Sequence, residues 1–274
     1  MNNMLERFRE AQLPGIARLR KLKAEGAMPP PFDFGEGRQR PPFTRALRAA
    51  GRPAVIAEYK RASPSRGVIN LALTPADVAR MYADAGAACL SVLTEEAHFQ
   101  GSLGYLSDMA FAGLPMLRKD FLIDPVQVQE TAATPASALL LIMRMFPGAA
   151  EVKDMIGQCR YYGLEAVCEV FDEGDLDLAR WAGAEIIQVN NRDLDRLVTD
   201  LDISRRLAAR KESGEVWISA SGLEAPEQLE EMAALGYDAV LIGTSLMSAP
   251  DPGAALAKLT AVAKNRREDR SAPK

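Results

Sequence analysis

The sequence is short of the residues that build disulfide frameworks and histidine-based sites. It contains three cysteines with no CxxC spacing, and one histidine, His98, among 274 residues. An odd number of scattered cysteines is typical of reduced thiols in a cytoplasmic protein. One histidine argues against a histidine metal site and against a Ser-His-Asp triad, although it could still act as a base. We therefore expect a cytoplasmic protein that needs neither a metal ion nor another cofactor.

Long apolar runs and an excess of basic charge are also missing. No apolar stretch reaches the roughly 18 residues that a membrane span needs, and the N-terminus lacks the apolar core of a signal peptide. The formal net charge is −4, which argues against a nucleic-acid partner bound through a basic surface. We expect neither a membrane nor a nucleic acid as a partner.

Short apolar runs do recur, at intervals of about 26 residues, and alternate with helical patterns. Such repeats favour a parallel sheet with crossover helices, and eight of them favour closure into a barrel. No GxGxxG motif follows the first run, which weakens the dinucleotide-binding alternative. The sequence predicts an α/β fold, a single (β/α)8 TIM barrel with extra N-terminal helices. The predicted strands are 54–59, 88–93, 115–118, 138–142, 165–170, 185–190, 216–220 and 239–243.

About 50 residues precede the first predicted strand. They contain helical patterns at 2–11 and 16–24, broken at Pro14, and a short helix at 43–50 after a proline-rich connector. This extension could cap the bottom of the barrel or form a lid over the substrate end, and the sequence does not decide between them. Three segments are predicted: a helical extension at 1–50 packed on the barrel, the barrel at 51–264, and a frayed polar tail at 265–274.

Polar residues stand where several predicted strands end. Active sites of these barrels gather at the carboxyl ends of the strands. Taken singly, each residue could form a structural salt bridge. Two lysines, two glutamates and an asparagine at one height are hard to explain by structure alone, because buried charges are costly unless paired. The candidates are Glu58, Lys60 and Ser63 at the first strand, Lys119 at the third, Glu169 at the fifth, and Asn190 and Arg192 at the sixth.

The loops after the last two strands have a second signature. Ser221-Gly222 and Gly243-Thr244 are pairs whose backbone N–H groups can be exposed. Such loops form the usual phosphate cradle of this fold. The alternative is two tight turns that need glycine. With the strand-end residues, they predict a phosphorylated, sugar-like substrate, acid–base chemistry by lysine and glutamate, and no metal.

Five segments together resemble the indole-3-glycerol phosphate synthase family of tryptophan biosynthesis. They extend from the first predicted strand to the last, in the family's order, and the Lys-Arg-Ala-Ser-Pro-Ser and Arg-Lys-Asp-Phe strings are specific to it. The N-terminal extension fits as well, since the family has extra helices before its first strand. The segments are Ile56-Ala-Glu-Tyr-Lys-Arg-Ala-Ser-Pro-Ser-Arg-Gly67, Leu93-Thr-Glu95 with Phe99-Gln-Gly-Ser102, Leu117-Arg-Lys-Asp-Phe-Leu-Ile-Asp-Pro125, Asn190-Asn-Arg-Asp-Leu194 and Ile242-Gly-Thr-Ser-Leu-Met247.

The resemblance implies a carbon–carbon lyase that closes and decarboxylates 1-(2-carboxyphenylamino)-1-deoxyribulose 5-phosphate. The products are indole-3-glycerol phosphate, carbon dioxide and water. By resemblance, Lys119 is the general acid for ring closure, and Lys60 holds an anionic group and serves as an acid in dehydration. Glu58 and Glu169 handle protons and hold Lys119, while Asn190 orients the intermediate. The implied contacts to the substrate and its phosphate come from Ser63, Arg192, Ser221, Gly222, Gly243 and Thr244.

Several positions depart from the family pattern. Ala220 stands where the family usually has a glutamate that lines the active site, which is the most serious change. Phe171, Ser137 and Gln188 replace a histidine, an aspartate and a glycine, and we expect these three to repack loops only. Two alternatives therefore stay open: a divergent paralogue acting on another sugar-phosphate-like substrate, and a catalytically silent barrel that binds a phosphate ligand. The sequence also leaves open a non-covalent association with other enzymes of the tryptophan pathway.

Overall fold

Eight parallel strands form a closed barrel in the computed structural model, which describes residues 4–193 and 198–271, without the side chains of 262–271. The predicted (β/α)8 barrel is therefore confirmed. The observed strands begin or end within one residue of the predicted ones, because their apolar runs are bounded by turn residues. The barrel strands are β1 (Ala54–Tyr59), β4 (Cys89–Leu93), β5 (Met116–Lys119), β6 (Ala138–Ile142), β7 (Glu165–Val170), β8 (Ile186–Asn190), β9 (Val216–Ala220) and β10 (Ala239–Ile242). A small hairpin after β1, not predicted, consists of β2 (Ala62–Ser63) and β3 (Gly67–Val68).

Helices follow the strands, and local sequence determines where several of them begin. The Thr74 hydroxyl accepts a hydrogen bond from the Asp77 N–H, and the Asp124 carboxylate accepts one from the Val126 N–H. A proline at the first helical position follows each of these caps, where its missing N–H costs nothing. The helices are α3 (Pro75–Asp84), α4 (Gly104–Met109), α5 (Pro125–Ala132), α6 (Ala149–Tyr161), α7 (Glu173–Trp181), α8 (Asp202–Ala208), α9 (Pro226–Ala234), α10 (Thr244–Met247) and α11 (Pro252–Ser271).

Strand register decides which side chains point into the barrel. Glu58 pairs with Ser91, Ile142 with Glu169, and Asn190 with Ala220. Because paired residues on neighbouring strands point to the same face of a sheet, these side chains share the barrel interior. The register therefore gathers polar side chains at the carboxyl end of an otherwise apolar core.

The short helix α2 (Phe43–Ala49) closes the amino end of the barrel. The backbone N–H of Phe43 donates to Glu165 Oε1 at 2.5 Å, at the beginning of β7. Phe43 and Leu47 are completely buried in the core. This part of the N-terminal extension is thus a bottom cap, held by a carboxylate that satisfies the free N–H groups of the helix.

The first helix, α1 (Met4–Ala24), is continuous, so the predicted break at Pro14 is wrong. Pro14 faces solvent, where water can bond the carbonyl it leaves free, and packing holds the helix on both sides of it. Ile16 and Leu19 pack against Val126 of α5, while Phe8 stacks on Phe121 at the carboxyl end of the barrel. The first helix therefore lies at the carboxyl end of the barrel, which is the end expected to bind substrate. Asn2 and Asn3, where we placed its beginning, are outside the described residues.

The far end of the chain is also more helical than predicted. Helix α11 extends to Ser271, through most of the segment assigned to a polar tail, and residues 272–274 lie outside the description. The division into extension, barrel and tail stays a prediction. Among the described helices, none is long and apolar enough to cross a membrane.

Candidate active site

The carboxyl end of the barrel opens into a cavity with two chemically different halves. One half is apolar and the other polar, and six residues line both: Glu58, Lys60, Lys119, Arg192, Ser221 and Thr244. The apolar half includes Met4, Phe8, Leu93, Phe99, Phe121, Leu140 and Ile142. The polar half includes Arg66, Thr199, Ser221, Gly222, Gly243, Thr244, Ser245 and Gln228.

Glu58 lies at the centre of this cavity and bridges two lysines. Its Oε1 is 2.8 Å from Lys60 Nζ, and its Oε2 is 3.1 Å from Lys119 Nζ. The Ser91 hydroxyl donates to the same Oε2 at 3.2 Å. Burial alone would raise the pKa of Glu58, but the ammonium groups of Lys119 and Lys60 outweigh it and lower the pKa to about 2. Glu58 is therefore a fixed anion between two cations.

Lys119 is the last residue of β5 and points into the barrel mouth. Burial would lower the pKa of its ammonium group, but the nearby Glu58 and Glu169 carboxylates more than offset that effect and raise it. At neutral pH Lys119 is thus protonated and can donate a proton. A group that is held as an ammonium by two anions suits the role of an acid toward an oxygen that gains negative charge.

Glu169 is buried on β7 and is held by two amides from the next strand. Asn190 Nδ2 donates to its Oε1 at 3.1 Å, and Gln188 Nε2 donates to its Oε2. Burial raises the pKa of Glu169, and Lys119 acts against that rise. The expectation that Gln188 only repacks a loop is wrong, because this residue is completely buried inside the barrel.

Asn190 and Arg192 join the β8 end to the loop after β1. The Asn190 Oδ1 accepts from the Arg192 backbone N–H at 3.0 Å, and Arg192 Nη1 donates to Ser65 Oγ at 3.3 Å. Ser63, close by in the hairpin, accepts from the Arg66 N–H. These bonds bring the guanidinium of Arg192 to the border between the two halves. Leu194, the last residue of the family string here, lies outside the described residues.

Backbone geometry shapes the polar half. Ser221 and Gly222 both have positive φ, 72° and 78°, and a Cβ on Gly222 would collide with the Thr199 side chain. This turn therefore needs glycine at position 222, as expected of a tight turn. The same turn also lines the cavity. Gly243 and Thr244 face it at the end of β10, where a Cβ on Gly243 would meet Glu58.

Every candidate site residue from the sequence lies in this one cavity. Glu58, Lys60, Ser63, Lys119, Glu169, Asn190, Arg192, Ser221 and Thr244 line its apolar half or the border, and Gly222 and Gly243 line its polar half. Ala220 is completely buried beside Asn190, so no carboxylate enters the wall at that position. Within the described residues, no three histidine, cysteine or acidic side chains cluster closely enough to hold a metal ion.

Sequence reasoning missed the aromatic wall of the apolar half. Phe8 stacks on Phe121, with ring centroids 4.0 Å apart, and its ring also meets the edge of His98. His98 pairs with Glu95 at 3.0 Å and stands behind the wall rather than lining the cavity. Phe99 and Phe121 lie within the segments that resemble the family, and this was the one feature of the sequence that could have pointed to them. Phe8 lies more than 100 residues before Phe121, and no local pattern connects them.

A (β/α)8 barrel with a Lys60–Glu58–Lys119 cluster and a polar recess at its mouth is typical of barrel enzymes that act on small phosphorylated molecules. Solved structures support the fold alone. The chain resembles 3-hexulose-6-phosphate synthase from Salmonella typhimurium, with a TM-score of 0.62, 14% identity, and coverage of 78% of this chain and 99% of that one. It also resembles thiamine phosphate pyrophosphorylase from Pyrococcus furiosus, with a TM-score of 0.58, 13% identity, and coverage of 81% and 98%.

Sequence comparison gives the particular family. The family model for indole-3-glycerol phosphate synthase matches residues 21–259. The indole-3-glycerol phosphate synthase of Carboxydothermus hydrogenoformans is 45% identical, over 78% of this chain and 81% of that protein. That of Desulfosudis oleivorans is 43% identical, over 79% and 84%. This chain belongs to the indole-3-glycerol phosphate synthase family.

Proposed function

We propose that the protein converts 1-(2-carboxyphenylamino)-1-deoxyribulose 5-phosphate into indole-3-glycerol phosphate, carbon dioxide and water. The observation that carries this proposal is the two-part cavity, in which an aromatic wall and a polar recess flank the Lys60–Glu58–Lys119 triad. The substrate has the same division, an aryl group at one end and a phosphate at the other. Its reacting carbonyl then lies between the halves, beside the lysines.

Binding follows from the chemistry of each half. The carboxyphenyl ring packs against Phe8, Phe99 and Phe121, where apolar area is removed from water. The phosphate binds the backbone N–H groups near Gly222 and Gly243 in the polar recess. Fixing both ends brings the ring carbon and the carbonyl carbon together, which lowers the entropic part of the barrier.

Ring closure needs an acid at the carbonyl oxygen. The ring carbon that carries the carboxylate attacks the ribulose carbonyl carbon, and the oxygen gains negative charge. Lys119 donates its proton to that oxygen, and Glu58 holds Lys119 at 3.1 Å. Carbon dioxide then leaves, and the electron pair of the broken bond returns to the ring.

Dehydration completes the indole. Lys60 protonates the departing hydroxyl, which leaves as water, and Glu169 accepts the proton released from the adjacent carbon. Asn190 holds both Glu169 and the Arg192 backbone, so it orients the intermediate toward this base. This step makes the new five-membered ring aromatic. The proton from Lys60 is matched by the one that Glu169 accepts, and the proton from Lys119 is the one that decarboxylation consumes, so Lys119 takes up a proton from solvent before the next turnover.

The test is a fluorescence assay for indole-3-glycerol phosphate formation by the purified full chain. We expect turnover at an ordinary enzymatic rate. The K119M variant keeps the apolar stem and should lose roughly two to four orders of magnitude in kcat, with circular dichroism unchanged. Equal rates for the variant and the wild type would refute the role of Lys119.

A second candidate rests on Ala220, which leaves the wall beside Asn190 without a carboxylate. In that case the protein acts on a different arylamino sugar phosphate. Measurable substrate binding without turnover in the same assay would favour this candidate or a silent barrel. A cytoplasmic location and association with other tryptophan-pathway enzymes stay predictions.

A further inference from the structure

Gln188 is an amide buried in the barrel interior, directly below the reacting groups. It lies on β8, is completely buried, and pairs in register with Glu169 on one side and Ile218 on the other. The register therefore points its side chain inward, to the same face as the Glu169 carboxylate.

The two oxygens of Glu169 are held by two different donors. Gln188 Nε2 donates to Oε2, and Asn190 Nδ2 donates to Oε1 at 3.1 Å. Both donors come from the same strand, two residues apart, so their spacing is fixed by the backbone. A carboxylate that is bonded at both oxygens cannot rotate about its last torsion without breaking one of the bonds. The pair of amides therefore sets the plane of the carboxylate.

Stability does not explain an amide at position 188. Its Oε1 atom is buried and has no hydrogen-bond partner. A buried polar atom without a partner costs free energy, and an apolar side chain of similar volume would avoid that cost. Buried polar atoms without a partner, like other locally unfavourable features, are found mainly at functional sites. The feature that the amide does supply is its donated hydrogen bond to Glu169.

The charges around Glu169 act in opposite directions on its pKa, so hydrogen bonds from neutral amides also influence that pKa. The groups that face it are Lys119 from β5 and Glu58 from β1, together with the two amides from β8, while β6 contributes the apolar Ile142. Burial and Glu58 favour the protonated form, and Lys119 and the amides favour the carboxylate. From β9, Ala220 adds no charge.

We propose that Gln188 is a positioning residue, which favours the carboxylate form of Glu169 and holds it in the plane that Asn190 also fixes. Gln188 acts through Glu169, because it does not line the cavity itself. The inference rests on the proposed function, because that function makes Glu169 a proton acceptor.

The test is the titration of Glu169 in the full-length protein, followed by carboxyl carbon NMR and assigned with E169Q. In Q188M, which keeps the volume but removes the donor, the pKa of Glu169 should rise by about one unit, a tenfold change in proton affinity. The acid limb of the kcat profile should move to higher pH by the same amount. S91A is the matched control, because it removes a donor from Glu58 instead and should leave the Glu169 titration in place.

An unchanged Glu169 titration in folded Q188M would overturn the proposal. If Q188M does not fold, Q188E has nearly the native shape and places a second carboxylate at the same contact. The two groups should then titrate as a coupled pair with one strongly raised pKa; two ordinary, independent titrations would also overturn it. The NMR titration needs no turnover, so it separates this proposal from the proposed function. If Q188M shifts the pKa of Glu169 but the wild type forms no indole-3-glycerol phosphate, the proposed function is refuted and the positioning role stands.

Discussion

A Cβ atom on Gly243 would lie 2.9 Å from the Cβ of Glu58. The end of β10 is therefore packed against the carboxylate that bridges Lys60 and Lys119, with no room for a methyl group. Glycine at 243 is needed for this close approach, and not for a left-handed backbone, because its φ is −132°.

The first prediction follows from this contact. In G243A the added methyl should push Glu58 away from the lysines, and kcat should fall about a hundredfold, as expected when a reacting group is misplaced by about 1 Å. G157A is the matched control, because Gly157 lies inside α6 with open space around it. That variant should keep full activity and gain about 0.5–1 kcal/mol of stability. Steady-state kinetics and urea unfolding check both, and an active G243A would contradict the argument.

The second prediction concerns the pH dependence of E58Q. Glu58 raises the pKa of Lys119, so it keeps that acid protonated as the pH increases. Without the carboxylate, Lys119 should lose its proton at lower pH, and the alkaline limb of the kcat profile should move down. In a profile measured from pH 6 to pH 10, the wild-type kcat should stay level on the alkaline side, because the raised pKa of Lys119 lies above that range, whereas kcat of E58Q should fall. If kcat of E58Q also stays level up to pH 10, Lys119 is not the group that the profile reports.

The third prediction concerns stability in acid. The pKa of Glu58 is lowered from its usual value near 4.5 to about 2. A depressed carboxyl pKa stabilises the fold above the unfolded-state pKa, and this contribution is lost as the pH falls toward the folded-state value. Between pH 7 and pH 3 the wild type should lose about 2 kcal/mol more than E58Q does. Urea unfolding at both pH values measures the difference, and parallel losses would contradict the assigned shift.

The fourth prediction concerns the aromatic wall. F8A removes the ring that stacks on Phe121, so the aryl group loses part of its apolar contact. We expect KM to rise about tenfold, which corresponds to about 1.4 kcal/mol of binding free energy, with a smaller effect on kcat. L13A, on the exposed side of the same helix, is the control and should resemble the wild type. An unchanged KM in F8A would place the aryl group elsewhere.

The sequence was sufficient for the barrel and the charged residues because both have local signatures. Glu58, Lys119 and Asn190 each end an apolar run, and the fold brings all such ends together. Pro14 misled because its helix is held by packing on distant residues, which overrides local propensity. The role of Gln188 was predicted wrongly because its inward direction depends on strand register. Phe8 was not predicted because it meets Phe121 only in the folded chain.

The N-terminal extension is made before the barrel during synthesis, and its docking partners are made much later. Phe43 donates its N–H to the Glu165 carboxylate, which lies 122 residues after Phe43 in the chain. Arg20 binds Asp124, which lies 104 residues after Arg20. Contacts of such long sequence separation cannot form until the downstream strands have left the ribosome. The aromatic wall, in which Phe8 meets Phe99 and Phe121, therefore closes only after the barrel strands β1, β4 and β5 have been made, so that a chain truncated or stalled before Phe121 lacks this wall.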